Sequence, residues 1–322
     1  MIKGLVLTPP VLGRISIGKV VERQGKRLPE KDDQFTLTTQ LQGREGWLAH
    51  PLDGVLRKAQ GGKIRTIPIT LPFNDPDLNF RASYSLFDRT TGRPLCVGDG
   101  ETCRRVTEAG VVTLDCPAPE GCPLAVGRQC KPYGRLNVVV SGDGLAGMEE
   151  MEGLKGIEDR EGLVGEEDPW GTFVFRTTGF NSIRTLAARL RYFQAMSGDR
   201  LALLPLALRL RGKTTTQSRG TPIYYVDLTL RTRVTVEQAL AQGREKQAIR
   251  EAAGFDQGAL DAAARLGMAN GAFEESEEDG QAVVEEFFAS GEGAVSEAVT
   301  KDAGLAGKLR AKVAAQGKRD AA

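Results

Sequence analysis

Five cysteines that lie within 35 residues of one another are the most distinctive candidates for chemistry in this sequence. Prolines and glycines interleave with the last three of them. These residues restrict φ or permit tight turns, so that several thiolates can point at one ion. Four thiolates complete the tetrahedral shell of a structural Zn²⁺ and leave no open position for a catalytic water. We therefore predict a structural zinc held by Cys96, Cys116, Cys122 and Cys130, with Cys103 as the alternate ligand.

The spacing of the cysteines leaves two other interpretations open. From Cys116 onward the pattern is C-x5-C-x7-C, which differs from the C-x2-C spacing of a standard zinc knuckle. The alternatives are buried thiols without a metal and a redox-active pair. In a reducing compartment, clustered cysteines favour a metal or redox role over a structural disulfide.

The other residue types limit the remaining chemistry. The chain has a single histidine, His50, whereas zinc metalloproteases, HNH nucleases and metallophosphoesterases need several imidazoles. A Ser-His-Asp triad would rest on His50 alone, and no G-x-S-x-G sequence accompanies it. Residues 13–19 satisfy G-x-x-x-x-G-K, but Val20 follows where a Walker A loop has Ser or Thr. We therefore expect neither hydrolase chemistry of these kinds nor a nucleotide cofactor.

Carboxylates keep a Mg²⁺-dependent nuclease as an alternative function, because two-metal hydrolases gather several of them in one site. The candidates are Asp75, Asp77, Asp99, Glu101 and Asp115. The sequence of residues 74–77, Asn-Asp-Pro-Asp, is also ordinary turn chemistry. A structural role is therefore favoured over catalysis for these residues.

The charges balance over the whole chain, with 43 basic and 42 acidic residues, but not along its length. From Val234 onward there are 10 basic and 16 acidic residues, against 33 and 26 before it. A basic body with an acidic tail is typical of proteins that approach nucleic acid. The candidate nucleic-acid-binding residues are Arg104, Arg105, Lys131, Arg135, Arg209, Arg211, Lys213 and Arg219, and the tyrosines among them offer stacking surfaces for bases. A scattered, solvated surface explains the same arginines equally well.

Alternating apolar residues place most of these candidates on strands. Residues 13–72 are predicted to be strands with turns, and further strands are predicted at 80–87, 135–140, 171–177, 201–210 and 223–230. Pro68 indicates an edge strand or a bulge. The clearest helix begins at Asn181 or Ser182 and stops at Gly198, a residue that favours a helix C-terminus.

Changes in composition divide the chain. Residues 141–169 are glycine-rich and acidic and are predicted to be a flexible insertion. We place a boundary near residue 233, between a zinc-binding core (1–233) and an acidic tail (234–322) of helical segments joined by disordered linkers. Phe287 and Phe288 offer one docking point in that tail. Since no run of about 18 apolar residues occurs, we expect a soluble protein that does not enter a membrane.

The order of the segments resembles the recombination-directionality-factor-like family of phages and mobile elements, whose members are often labelled only as hydrolase or metal-binding proteins. The resemblance covers roughly residues 12–232 and omits the tail. The segments that carry it are 13–18, 67–69, 71–75, 96–100, the block from Cys116 to Leu136, and 178–183. The best understood members bind a phage serine integrase on its attachment sites and bias recombination toward excision.

The resemblance implies a non-enzymatic accessory factor in the cytoplasm of a bacterial host, with an integrase and DNA as partners. The expected fold is α+β, a β-rich core domain with a cysteine zinc-binding loop region and an acidic helical, partly disordered C-terminal tail. The alternatives are a metal-dependent nuclease or hydrolase acting on nucleic acid, and a single-stranded-DNA-binding protein of replication or recombination. A carboxylate cluster in a cleft would favour the enzyme, a basic groove with exposed tyrosines would favour DNA binding, and a large exposed apolar patch would favour a protein partner.

Overall fold

The computed structural model describes residues 10–23, 26–43, 46–140, 171–214, 222–268 and 277–288. Its strands are β1 (Val11–Arg23), β2 (Lys26–Gly43), β3 (Gly46–Ala49), β4 (Thr66–Thr70), β5 (Phe80–Phe87), β6 (Pro94–Gly98), β7 (Thr102–Thr107), β8 (Gly110–Asp115), β9 (Lys131–Val140), β10 (Thr172–Thr177), β11 (Leu206–Lys213) and β12 (Ile223–Leu230). Its helices are α1 (Pro51–Ala59), α2 (Pro76–Asn79), α3 (Ala118–Gly121), α4 (Phe180–Ser197), α5 (Val236–Ala252), α6 (Gln257–Met268) and α7 (Glu277–Phe287), with 3₁₀ turns at Pro123–Arg128 and Leu201–Leu203. Residues 1–213 and 224–289 form one compact unit, while a second unit, 214–223 with 290–322, lies almost entirely outside the described residues.

One large sheet organises the compact unit. Its strand order is β3-β2-β1-β10-β9-β5-β6-β7-β8, and β1 and β10 run parallel whereas the other neighbours along this path are antiparallel. A branch leaves the end of β9, where Val140 pairs with Ile69 of β4, and continues through β11 to β12. The result is a mixed, sheet-rich α+β fold.

Apolar residues at alternate strand positions build the main core on one face of this sheet. They pack against the apolar faces of α1 and α4, since alternation gives each strand one apolar side and a 3.6-residue period gives each helix one apolar stripe. The cluster includes Ile15, Phe35, Leu37, Phe80, Leu136, Val138, Phe173 and Phe175 from the sheet, Leu52 and Leu56 from α1, and Ile183, Leu186, Leu190 and Phe193 from α4.

The long helix α4 confirms the predicted helix and corrects its start. Gly198 ends the helix in the left-handed conformation, with φ 62° and ψ 56°, which glycine adopts without steric cost. The N-cap is Gly179 rather than Asn181 or Ser182. The Ser182 hydroxyl instead accepts a hydrogen bond from the Val226 amide at 3.0 Å, so this side chain ties α4 to β12.

Two predicted strand regions contain helical structure instead. Helix α1 interrupts residues 13–72, where Nδ1 of His50 accepts from the Leu52 amide at 3.2 Å and Pro51 occupies the first turn. The strand predicted from residue 201 begins only at Leu206, because Leu201–Leu203 form a 3₁₀ turn. The side chain of Asn74 accepts from the Ala202 amide at 2.9 Å and holds that turn in place.

The helices that follow residue 233 contact the body of the protein. Ala239 of α5 belongs to the main core, and Ala264 of α6 packs in a smaller cluster. Phe287 of α7 is fully buried, which confirms its predicted docking. The insertion at 141–169 and residues 269–276 and 289–322 lie outside the described residues, and the boundary near residue 233 stays a prediction. In the part of the chain that the structure describes, none of the helices combines the length and apolar character needed to cross a membrane.

Candidate metal centre and basic surfaces

Strands β6 and β7 place two cysteines on one side of the sheet. The register pairs Cys96 with Arg105 and Gly98 with Cys103. Directly paired residues point to the same side and side chains alternate along a strand. Cys96, Gly98, Cys103 and Arg105 therefore share a face, and both cysteines are buried.

The glycine between them leaves room for a third thiol. A Cβ atom at Gly98 would lie 2.7 Å from the Cβ of Cys103 and 3.0 Å from the Sγ of Cys116. Cys116 directly follows β8, and its amide donates to the Glu101 carbonyl at 2.8 Å. The missing side chain at position 98 thus permits the Cys116 thiol to approach Cys103.

The last two cysteines complete the cluster from a loop. Cys122 separates α3 from the following 3₁₀ turn, and Cys130 immediately precedes β9. The pKa of the Cys130 thiol is raised to about 11, chiefly by burial and then by the charges of the other four cysteines. The pKa of Cys103 is raised to about 11, chiefly by burial and then by its hydrogen bond with Cys96. Cys130 is therefore within electrostatic range of the other four thiols.

A guanidinium lies among the thiols. Nη2 of Arg105 is 4.0 Å from the Sγ of Cys103. A hydrogen bond between Arg105 and Cys96 is the main cause of the raised pKa of Arg105. Four thiolates around Zn²⁺ carry a net charge of about −2, which a neighbouring cation offsets. Arg105, predicted as a nucleic-acid contact, thus lies in the cysteine cluster.

The donor chemistry of the cluster suits zinc, for which thiolates are preferred ligands. Within the described ranges, however, no group of three or more His, Cys, Asp or Glu side chains has an arrangement that could hold a metal ion. The structure brings the five cysteines to one place and does not select four of them. The zinc and its ligand set stay predictions.

The other predicted nucleic-acid contacts do not form one groove. Arg104 neighbours Arg105 on β7 but faces the opposite side of the strand, and Lys131 and Arg135 lie on β9. Three further residues lie on β11 of the branch: Arg209, Arg211 and Lys213. Arg219 lies outside the described residues. The basic residues therefore lie in three separate places. These are the two opposite sides of the β6–β8 region, strand β9, and the branch.

The branch carries the more open of these basic surfaces. Asp227 of β12 is buried and accepts hydrogen bonds from Nε of Arg189 at 3.1 Å and Nε of Arg211 at 3.0 Å. Nζ of Lys213 donates to the Asn181 side chain at 2.9 Å. The two guanidinium groups are thus held at the surface by one shared carboxylate.

Three of the five carboxylates proposed for a nuclease have structural partners. Asp75 caps α2, and its second oxygen pairs with Nε of Arg265 at 2.9 Å. Asp99 accepts hydrogen bonds from the amides of Thr102 and Glu101, each at 2.8 Å, and these bonds lower its pKa. Asp77 pairs with Nη2 of Arg191 at 3.0 Å. These three acids serve a local turn or an ion pair.

Sequence reasoning missed two arginines of the large sheet, Arg81 on β5 and Arg176 on β10. Both pair directly with Arg135 of β9. A sequence signal exists, because each arginine occupies a strand position next to residues of the apolar core, as Arg176 does beside Phe175. The register that brings the three together is a property of the fold.

One family model matches the part of the chain that contains the strands. The Gp3-like family, described as recombination directionality factor-like, matches residues 12–231. The first strand begins at Val11 and the last ends at Leu230, so the match spans the strands of the described fold. The chain belongs to this Gp3-like, recombination directionality factor-like family. Searches of curated proteins and of solved structures gave no significant match.

Proposed function

We propose that this chain is a non-enzymatic accessory factor of DNA recombination in a phage or integrative element, which binds a site-specific integrase and biases the direction of recombination. The observation that carries the proposal is the match over residues 12–231 to a family named for that role. Such a factor shifts the outcome only by as much as its affinity differs between two integrase–DNA states.

The edge formed by β6, β7 and β8 is the surface that we assign to the integrase. Leu95, Val106 and Val111 are large apolar residues exposed there, and Val106 pairs directly with Val111. β8 ends the strand order, and within the described residues no further strand pairs with its outer edge. Exposed apolar side chains beside an open strand edge favour docking of another protein.

A structural zinc would stabilise this same edge. Most of β8 is exposed, so the three strands bury little apolar surface of their own, and metal binding adds folding free energy where a core is small. Cys96, Cys116, Cys122 and Cys130 would hold the ion and link β6, the end of β8 and the loop before β9. The metal thereby supports the integrase surface and takes no part in a reaction.

We also propose that the branch contacts DNA directly. Arg209 is exposed on β11, and Arg211 and Lys213 follow on the same strand. Tyr225 of the neighbouring strand has its ring centre 6.0 Å from Nζ of Lys213. Phosphate contacts from such residues would position the factor on an attachment site.

The test is a recombination assay with the serine integrase encoded by the same element and DNA carrying its attachment sites. Adding the full chain should stimulate recombination between the excision sites attL and attR and inhibit that between attP and attB. If neither reaction changes at excess protein and no complex with the integrase elutes on size exclusion, the proposal is wrong.

A pair of variants locates the surface. Val106→Glu with Val111→Glu should weaken integrase binding by at least about tenfold, because a charge placed in an apolar contact costs more than about 1.4 kcal/mol. Ile249→Glu is the matched control, since Ile249 is 63% exposed but lies on α5, outside the family match. If both variants bind the integrase equally well, this edge is not the integrase-binding surface.

A further inference from the structure

The face of the large sheet that lies opposite the main core carries a row of arginines. Arg81, Arg135 and Arg176 are directly paired on the adjacent strands β5, β9 and β10. Arg14 of β1 pairs with Val174 of β10, two residues before Arg176. Directly paired residues point to the same side of a sheet, so these side chains concentrate positive charge on one face.

Helix α7 lies over part of this face. Its residues Glu285 and Glu286 line a cavity of about 140 Å³ together with Arg14 and Arg176. Nε1 of Trp47 donates to a carboxylate oxygen of Glu285 at 2.7 Å. The guanidinium of Arg14 stacks 3.2 Å from the centre of the same indole ring. The acidic end of α7 and the arginines thus share one site.

The helix is held there by a small apolar contact. Val283 and Phe287 are fully buried in a cluster with Phe87 and Tyr133. Nζ of Lys131 lies 4.7 Å from the centre of the Phe287 ring. Because α7 docks through side chains and adds no strand to the sheet, its release would leave the sheet intact.

We propose that this arginine face binds the phosphate backbone of duplex DNA and that α7 is an acidic cover over it, displaced when DNA binds. The inference extends the proposed recombination role but does not depend on the integrase, and the two can fail separately. It also gives Lys131 and Arg135, both predicted nucleic-acid contacts, a common location.

The dimensions and chemistry of the face fit a phosphate backbone. Three adjacent strands span about 10 Å, and one guanidinium on each of them can bind a phosphate oxygen, so the row offers up to three phosphate contacts. Guanidinium groups bind phosphate in a bidentate manner. The carboxylates of α7 take the position that phosphates would occupy.

The test measures binding of the full chain to a labelled 30-base-pair duplex by fluorescence anisotropy. The variant Val283→Ala with Phe287→Ala should release α7 and tighten DNA binding at least tenfold. The slope of log K against log salt should become steeper by about 3, as expected for three added phosphate contacts. Hydrogen exchange over residues 277–287 reports whether the helix is released.

Further variants separate this face from exposed arginines elsewhere in the fold. In the released background, Arg176→Gln should abolish the gain in affinity, whereas Arg244→Gln, at an exposed residue of α5, should preserve it. Should the doubly substituted protein fail to fold, Glu285→Gln with Glu286→Gln replaces it, with a gain of at least about threefold. The inference is overturned if exchange shows a released helix with unchanged DNA affinity. It is equally overturned if the gain survives Arg176→Gln or is lost in Arg244→Gln.

Discussion

Substitution of Gly98 by alanine tests the geometry of the cysteine cluster directly. The added Cβ would lie 2.7 Å from both the Thr102 carbonyl oxygen and the Cβ of Cys103, and 3.0 Å from the Cys116 thiol. The first two atoms cannot rotate away, and the Thr102 carbonyl also accepts the Asp99 amide at 3.1 Å across the β6–β7 turn. Overpacking of this kind costs about 1–3 kcal/mol. The equilibrium constant for unfolding should therefore rise about 5- to 150-fold.

Urea unfolding at neutral pH measures the change, with Gly54→Ala as the matched control. Nothing lies within 4 Å of a Cβ at Gly54, in the middle of α1, so alanine should stabilise that helix by about 0.5–1 kcal/mol. Since β6–β8 can open without the main core, exchange of amide hydrogens over residues 94–107 is followed as well. A Gly98→Ala protein with wild-type stability and wild-type exchange would refute the close packing of Thr102, Cys103 and Cys116 around Gly98.

Three further predictions follow from the same structure. Cys122→Ala should lose bound zinc, measured as metal per chain by atomic absorption, and should unfold at lower urea; unchanged metal content would exclude Cys122 as a ligand. Removal of residues 234–322 should leave a folded body with a lowered Tm, because α7 no longer covers its apolar contact; aggregation of the shortened chain would show that the body does not fold without these helices. Asp33, whose pKa is lowered to about 2 chiefly by its bond with Lys63 and also by Arg65, contributes stability above pH about 4 that is lost as pH falls toward 2. Asp33→Asn should flatten that part of the stability–pH curve, and an unchanged curve would show that the ion pairs do not persist in solution.

The cysteine cluster and the acidic helix α7 lie in different parts of this architecture. The proposed integrase surface is associated with the first and the proposed DNA-binding face with the second. The cluster lies with β6 and β7 near one end of the strand order, where a metal would stabilise strands that bury little apolar surface. Helix α7 shares a cavity with arginines of β1 and β10, so that its removal exposes charge. Integrase binding should accordingly depend on the first region and DNA affinity on the second.

Local patterns in the sequence were sufficient for elements whose conformation depends on nearby residues. The strands β5 and β12 occupy residues 80–87 and 223–230 as their alternation predicts, and Gly198 ends α4 because glycine adopts a positive φ at no steric cost. Helix α1 was missed although its cap is local, since the capping side chain is a histidine and not one of the usual Ser, Thr, Asp or Asn.

Pairing between distant segments was decided only by the tertiary structure. Alternation shows which residues of a strand share a face, but it does not show which strand lies beside it or in what register. The parallel pairing of β1 with β10 and the alignment of Arg81, Arg135 and Arg176 are therefore absent from any local pattern. The five cysteines were recognised from their spacing, whereas the position of Arg105 among them depends on the β6–β7 register. Sequence thus determined the elements and the candidate chemistry, and non-local strand pairing decided which charges and thiols meet.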